Sequence, residues 1–520
     1  MKKSHIKFAV AVTVLFATAA IFFACSGSAN EKTEITMLFL PSSSEYPLPP
    51  DDWDFYKVIE DKLKIKLNLL RLPEDENEQD AMIEKAAKEN ALPDIFMVNN
   101  KELESLVKRG KVACVDEMFE MMPVRTAKMY DESARANSTF GGKCYGLSQP
   151  GSVAKNEGIL IREDWLTKLN LKTPVTTEDY IEVMRKFTYG DPDGNGKDDT
   201  FGFGAFIETT GTEEGLGRRF QPFFGAFGVP GTFNMTEKDF GLNIHKEGYF
   251  DALVFIKQMV DEGLIVPEWT TFKKEDFRNA WKNGRFGIMR EQNAAWGLER
   301  GYKPFDEKFP EGNWIVINPP KGPNGFQSVG NYTQDYKIFA ISKEAEENGK
   351  IEKIAELLEW MTTKAYYCVA YGKENVNFRF DENGNITLNG LKNPELAYTK
   401  EKAAPYMQLR NLVFCNSDAE LLTRYKTWTS KNGKKISPFI ILKDMQSRPW
   451  TATIGAEKLP PPPPNLKKMY EEDIVDFVIG KKSLNRQNWE DWLSEFDRKG
   501  GTDWEKECFK FAKEHNLLTK

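Results

Sequence analysis

The chain has 520 residues, 40 % hydrophobic and 29 % charged, with 71 basic against 78 acidic side chains and a formal net charge of −7. An acidic balance without a concentrated basic patch argues against nucleic acid, whose phosphates need one. Three histidines in the whole chain argue against a His-based triad or a His-rich metal site, and six cysteines with no C-x-x-C spacing argue for a fold that stands on its core.

In chain order, Lys2, Lys3 and Lys7 open a basic start, and residues 8–24 are almost wholly apolar. That run is short for a membrane span and suits the core of a signal peptide. It ends at Ala24-Cys25, followed by Ser26-Gly27-Ser28, the arrangement of a lipoprotein cleavage site, with Phe22 where Leu is usual. The expectation is a signal peptide over 1–24, lipid on Cys25 and a polar tether over 25–32. Two or more acyl chains there suffice for a stable membrane anchor. Losing the three lysines leaves 68 basic against 78 acidic residues, a formal −10. The remaining length is enough for two substantial cores.

Residues 34–40 alternate and then turn apolar like a strand. Phe55, Val58, Ile59 and Leu63 follow at helical spacing, residues 64–72 alternate again, 80–89 read as a helix, and 92–98 close on a short buried-strand pattern. Strand, helix, strand, helix, strand predicts parallel β-α-β units in a doubly wound sheet, with ligands bound beyond the carboxyl ends of the strands, first after Leu40 and Val98. A second unit begins near Gly158, with a strand over 159–161 and a helix cap at Thr176-Thr177-Glu178-Asp179. Further helices are predicted over 250–260 and 351–362, a short strand over 286–289, and two or three helices from Leu466 onward. Pro460 to Pro464 form an uninterrupted extended spacer.

The sharpest motif is Asp191-Pro-Asp193-Gly-Asn195-Gly196-Lys197-Asp-Asp199. Oxygen-bearing side chains at positions 1, 3, 5 and 9, Gly at 6 and a backbone carbonyl from Lys197 at 7 are the arrangement of an EF-hand-type loop around Ca²⁺. Position 12 departs, with Gly202 in place of the bidentate Glu, and the same spacing also occurs in metal-free Asx turns. The expectation is one structural calcium ion, held by Asp191, Asp193, Asn195, Lys197 and Asp199.

Ile161-Arg-Glu-Asp-Trp165-Leu-x-Lys168-Leu, Pro174-x-Thr-x-Glu178-x-Tyr180 and the Asp191 block, in close succession, resemble the calcium-containing branch of the family 1 extracellular solute-binding proteins, which includes alginate-oligosaccharide-binding lipoproteins. Leu92-Pro-Asp-Ile95, Tyr145-Gly146-Leu147, Phe286-Gly-Ile-Met289, the stretch from Glu291 to Gly297 and the tail from Glu472 through Trp492 agree with it. The resemblance implies a two-lobed, hinge-linked α/β fold of the type II-like periplasmic-binding-protein kind, closing on an oligosaccharide and delivering it to the permease subunits of an ABC importer. It implies a monomer without enzymatic activity. By it, lobe one takes 33–152 and 286–340, lobe two takes 153–285 and 341–459, and 460–520 carries the proline run and C-terminal helices.

Sugar clefts combine aromatic platforms with amide and carboxylate partners. The resemblance makes Trp296 a stacking residue, beside Gln292 and Asn293. Trp53, with Tyr46 nearby, opens a helix after the first strand tip. Asn99 and Asn100 follow the Val98 strand end, Gln149 precedes the first crossing, and Tyr332 and Gln334 precede a strand. Trp165, Trp360 and Trp492 sit in amphipathic helices and are expected to pack. A surface glycan hydrolase is the alternative, since accidental carboxylate pairs are easy among so many acids. The chain carries no G-x-S-x-G, H-E-x-x-H or Walker loop. An adhesin would explain the anchor but neither the β-α-β start nor the calcium loop.

Overall fold

The computed structural model describes residues 32–41, 48–73, 75–151, 153, 155–207, 215–331, 336–452, 459–515 and 517–519. Cys25, Tyr46, Tyr332 and Gln334 lie outside the described residues. The first sheet has five strands in the order Ile65–Arg71, Thr33–Phe39, Ile95–Val98, Tyr336–Ile341, Leu147–Pro150. The first three run parallel, with Thr33 opposite Ile65 and Met37 opposite Ile95, and Tyr336–Ile341 runs against both its neighbours. The helices Asp54–Leu63 and Glu76–Lys88 make the crossovers. The second starts earlier than its apolar spacing suggests, because Asp75 caps it by accepting from the Glu78 amide at 3.1 Å.

The second sheet has four strands in the order Trp314–Ile317, Glu157–Arg162, Phe286–Gln292, Phe201–Gly204. The helix Thr177–Tyr189 covers it and opens on the expected capping box, in which Thr176 and Asp179 satisfy each other's backbone amides. Two segments sit elsewhere than expected. Phe286–Gln292, assigned to lobe one with 286–340, pairs with Glu157–Arg162 and Phe201–Gly204, so it is a central strand of the second sheet. Its residues are buried on both faces, and such a strand has no polar side to betray which sheet holds it. Likewise Ile351–Thr362, assigned to lobe two with 341–459, is a helix as expected but buries Ile354, Leu357, Leu358 and Met361 in the first core, beside Ile35 and Phe55. That first core extends to Leu412 and Val413. Among the described residues the chain therefore passes between the cores three times, after Pro150, after Asn331 and after Val413.

The proline run ends by starting the helix Pro464–Lys468, and the Pro460 carbonyl accepts from the Trp504 indole at 2.8 Å. The helices beyond it bury Leu466, Tyr470, Ile474, Trp489, Trp492 and Phe496 in the second core. Trp165 and Trp492 are buried there as expected, and Trp360 stacks on Phe55. His245 ties this tail to the second lobe, its ring 3.1 Å from Asp497 and 3.4 Å from Glu505.

A largely buried ion cluster lies where the first and second crossings meet the second sheet. Glu157, the first residue of its strand, sits 2.9 Å from Arg290 Nε and 3.0 Å from Arg218 Nη1. Arg290 also donates to the carbonyls of Arg218 at 2.6 Å and Gly330 at 3.0 Å, so one guanidinium grips both the strand and the segment leading to the second crossing. Arg219, wholly buried, donates to the Arg290 carbonyl at 2.6 Å and lies 3.6 Å from Glu291, which Arg278 reaches from the other side at 3.2 Å. Burial alone would raise the Glu157 carboxyl, but Arg290, Arg218 and Arg219 overcome it and hold it well below the usual carboxylate range.

Glu157→Gln should destabilise the protein by about 3–5 kcal/mol in denaturant melts, because it takes the charge partner from the buried Arg290 and the half-buried Arg218. A lowered folded pKa means that the Glu157 contribution is present above the ordinary carboxylate pKa and is lost as pH falls through the folded value. His245 has the opposite sign. The Glu505 hydrogen bond, with Asp497 adding, raises its pKa against the pull of burial, so its stabilisation is full below the ordinary histidine value and fades as pH rises through the folded one. Melting temperature against pH should show that fading in the wild type and lose it in His245→Gln.

Candidate functional site

Open α/β sheets bind ligands beyond the carboxyl ends of their strands. In the first sheet those ends are Phe39, Arg71, Val98 and Pro150; in the parallel pair of the second they are Gly204 and Gln292. The first crossing leaves at Pro150 and enters at Glu157, which lies opposite Gln292 in register. The edges that ligands favour are thus also the edges joined by the crossings. This interlobe edge is the candidate site.

The amides expected there fall into two groups. Asn99, exposed, accepts from the Glu102 amide at 2.8 Å as the cap of the helix Asn100–Lys108 and donates to Asp80 at 2.9 Å. Asn100 donates to the Asn137 carbonyl, and Gln292, half-buried, donates to Glu157 at 3.3 Å. These three remain at strand ends. Gln149 does not face solvent: it accepts from Arg125 at 2.6 Å and donates to the Asn411 carbonyl at 2.7 Å, fastening the segment after residue 407 to the strand end. Trp53 precedes its helix with its ring 4.8 Å from Phe55, inside the first core. Trp296 is 3 % exposed, 6.3 Å from Tyr302, with its indole N–H sealed and without a hydrogen-bond partner among the described residues. Beside Asn99, burial pushes the Glu102 carboxyl up to about 8, with the neighbouring Asp80 adding. Sequence reasoning missed the Glu157–Arg290 cluster; its signal was the charged pair Arg290-Glu291 running on from the apolar 286–289 in one strand.

The Asp191 loop lies on the second lobe, between the helix Thr177–Tyr189 and the strand Phe201–Gly204. Asp191, at φ 50°, accepts from the backbone amides of Gly194, Asn195 and Gly196 at 2.9–3.1 Å, closing the turn. The Asp193 and Asp199 carboxylates converge on the Asn195 amide nitrogen at 2.8 and 3.1 Å. Burial and the Asp199 and Asp191 charges raise the Asp193 carboxyl. Two carboxylates converging on one point suit a cation once Asn195, whose nitrogen faces them while its oxygen accepts from the Lys197 amide at 2.8 Å, turns its oxygen toward them. Gly202 has no side chain to offer, and Met184, 2.4 Å from where its Cβ would stand, leaves no room for a Glu there. No three acidic, His or Cys side chains among the described residues stand at metal-holding distance, so the donor set fits calcium only when completed by Asn195 and backbone oxygen.

The sequence model of the bacterial extracellular solute-binding proteins matches residues 53–367. The polygalacturonan/rhamnogalacturonan-binding protein YtcQ of Bacillus subtilis is 25 % identical over 399 residues, 72 % of each chain. Among solved structures, a human-milk-oligosaccharide (HMO) binding, ABC-transporter-associated solute-binding protein of Bifidobacterium longum infantis superposes with a TM-score of 0.68 at 13 % identity, over 94 % of this chain and all of that one. An EF-hand mutant of FusA of Streptococcus pneumoniae, in complex with fructo-nystose, superposes with a TM-score of 0.60 at 17 % identity, over 93 % of this chain and 99 % of that one. These likenesses carry the α/β solute-binding fold. With more than half the chain matched by the family model and two sheets joined through three crossings, this chain belongs to the bacterial extracellular solute-binding proteins, which bind a solute and do not transform it.

Proposed function

We propose that the protein captures an oligosaccharide between its two lobes outside the cell membrane and hands it to the permease of an ABC importer. The observation that carries this reading is the meeting of both sheets' ligand-favouring edges at the crossings. Relatives named for polygalacturonan, milk oligosaccharides and fructo-nystose support a sugar as the solute. In this reading Asn99, Asn100 and Gln292 offer amides to sugar hydroxyls, while Trp53, Trp296 and Gln149 brace the walls behind them. Tyr332 and Gln334, in the second crossing, remain proposed contacts. One lobe takes the sheet around Thr33–Phe39 with the segment through Val413; the other takes the sheet around Glu157–Arg162 with the C-terminal helices. The protein acts as a monomer, held to the membrane by lipid on Cys25 after removal of residues 1–24. One calcium ion, bound by Asp191, Asp193, Asn195, Asp199 and the Lys197 carbonyl, stiffens the second lobe, a reading supported by the converging carboxylates and by a relative whose EF-hand was a target of mutation.

A ligand closes two lobes only by binding the closed state better than the open one. Adding the correct oligosaccharide should therefore shrink the radius of gyration in solution scattering and raise the melting temperature. A protein that releases shortened glycan instead, or whose scattering and melting respond to no oligosaccharide in a broad panel, refutes the reading. Calcium bound to the native state should stabilise it by mass action, about 2.7 kcal/mol at a hundred times its dissociation constant. Chelator should lower the melting temperature of the wild type and leave Asp193→Ala unmoved.

A further inference from the structure

The loop from Asp191 to Asp199 carries four carboxylates, Asp191, Asp193, Asp198 and Asp199, against one lysine, Lys197. A second lysine reaches it from another element. Lys168 ends the helix Glu163–Lys168, and its ammonium lies over Gly194, the fourth loop position, 2.4 Å from where a Cβ there would stand. A side chain at Gly194 would displace it, and at φ 75° the turn itself favours glycine.

This approach is built into the fold. Trp165, buried one turn before Lys168, packs edge-on against Phe187 with ring centroids 5.2 Å apart. Phe187 belongs to the helix that runs into the loop, and its carbonyl accepts from the Thr200 hydroxyl, just beyond the loop, at 2.8 Å. The helix carrying Lys168 and both flanks of the loop are thus fastened to one residue. Lys168 lines the same cavity, of about 650 Å³, as Asp193, Asn195 and Asp199. The other cations of that cavity are engaged: Arg162 pairs with Asp164, Arg285 pairs with Glu268 at 3.0 Å, and Lys308 donates to Asn283 at 2.8 Å. Lys168 makes no hydrogen bond or ion pair among the described residues.

An unpaired ammonium beside converging carboxylates has two opposed effects. Without metal, its charge offsets the repulsion between Asp193 and Asp199, which meet at Asn195, and favours the closed turn. With metal, it repels the divalent ion and weakens binding. We propose that Lys168 is a built-in counter-cation of the Asp191 loop, holding the turn closed when it is empty and setting its calcium affinity low. This rests on the calcium reading of the loop. Affinity at such loops follows ligand charge and rigidity, and a loop without its bidentate glutamate, with a lysine at its side, belongs near the 10⁻⁴–10⁻³ M of extracellular modules, to order of magnitude about three decades weaker than a tight buffer site. The second lobe then keeps a formed loop with or without the ion, and gains stiffness only where calcium is plentiful.

The test is calcium titration by calorimetry of the full mature chain, with melting curves in chelator, for the wild type, Lys168→Gln, Lys168→Glu and Lys168→Arg. Lys168 is exposed, so these substitutions leave the core intact. Lys168→Gln should bind calcium roughly ten-fold tighter, the repulsion between one unit charge and a divalent ion several Å away at water-like screening. That gain should shrink in added potassium chloride. In chelator the same variant should melt below the wild type. Lys168→Glu should move both readings further in the same directions, and Lys168→Arg should move neither. The opposite signs separate this role from packing, because a lysine that only packs its stem would cost stability with and without metal and leave calcium affinity unmoved. Calcium affinity unchanged or weakened in Lys168→Gln, or melting in chelator that does not fall, overturns the inference and leaves the calcium loop standing. No calcium bound by the wild type or any variant overturns both.

Discussion

Everything that positions the interlobe site depends on the contact between Glu157 and Arg290. Two buried glutamates and the guanidiniums around them would be costly if left unpaired, so the second sheet can seal only with Arg218, Arg219, Arg278 and Arg290 in place. Arg290 then extends to the Gly330 carbonyl and fixes where the second crossing departs. The first crossing enters at Glu157 itself. Two of the three connections between the lobes therefore leave from one largely buried ion cluster.

The polar groups around the site are arranged in two tiers. Gln149 and Arg125 are fully engaged with backbone and side-chain partners and hold the segment around Asn411 to the first sheet. Asn99, Asn100 and Gln292 make fewer contacts and stand nearer solvent. A binding protein needs both: amides that can exchange water for sugar hydroxyls, and a support that does not shift when they do. The tail helices serve the same end on the far side of the second core, where Trp489 and Trp492 stack 4.9 Å apart and extend that core.

Much of this was legible in the sequence wherever the determinants are local. The switch between period two and period 3.6 from residue 33 to 98 gives the parallel start, the Thr176–Asp179 box gives a helix boundary, and the Asp191 loop closes its turn within nine positions. What failed was non-local. The pattern of Ile351–Thr362 reports that one face is buried and not which lobe receives it. Phe286–Gln292, buried on both faces, is compatible with the middle of either sheet. Trp53 and Trp296 could not be sorted between platform and core, because both roles need the same apolar ring and differ only in exposure.

The interleaving of the lobes bears on how the chain acquires its shape. The first core joins Ile35 to Val413, and the second begins at Ile159 and is completed by Ala512. Neither is a contiguous stretch, so neither can close until most of the polypeptide is available, and the closing loops span hundreds of residues. Such long-range topology folds slowly and leaves apolar strands exposed in the interim.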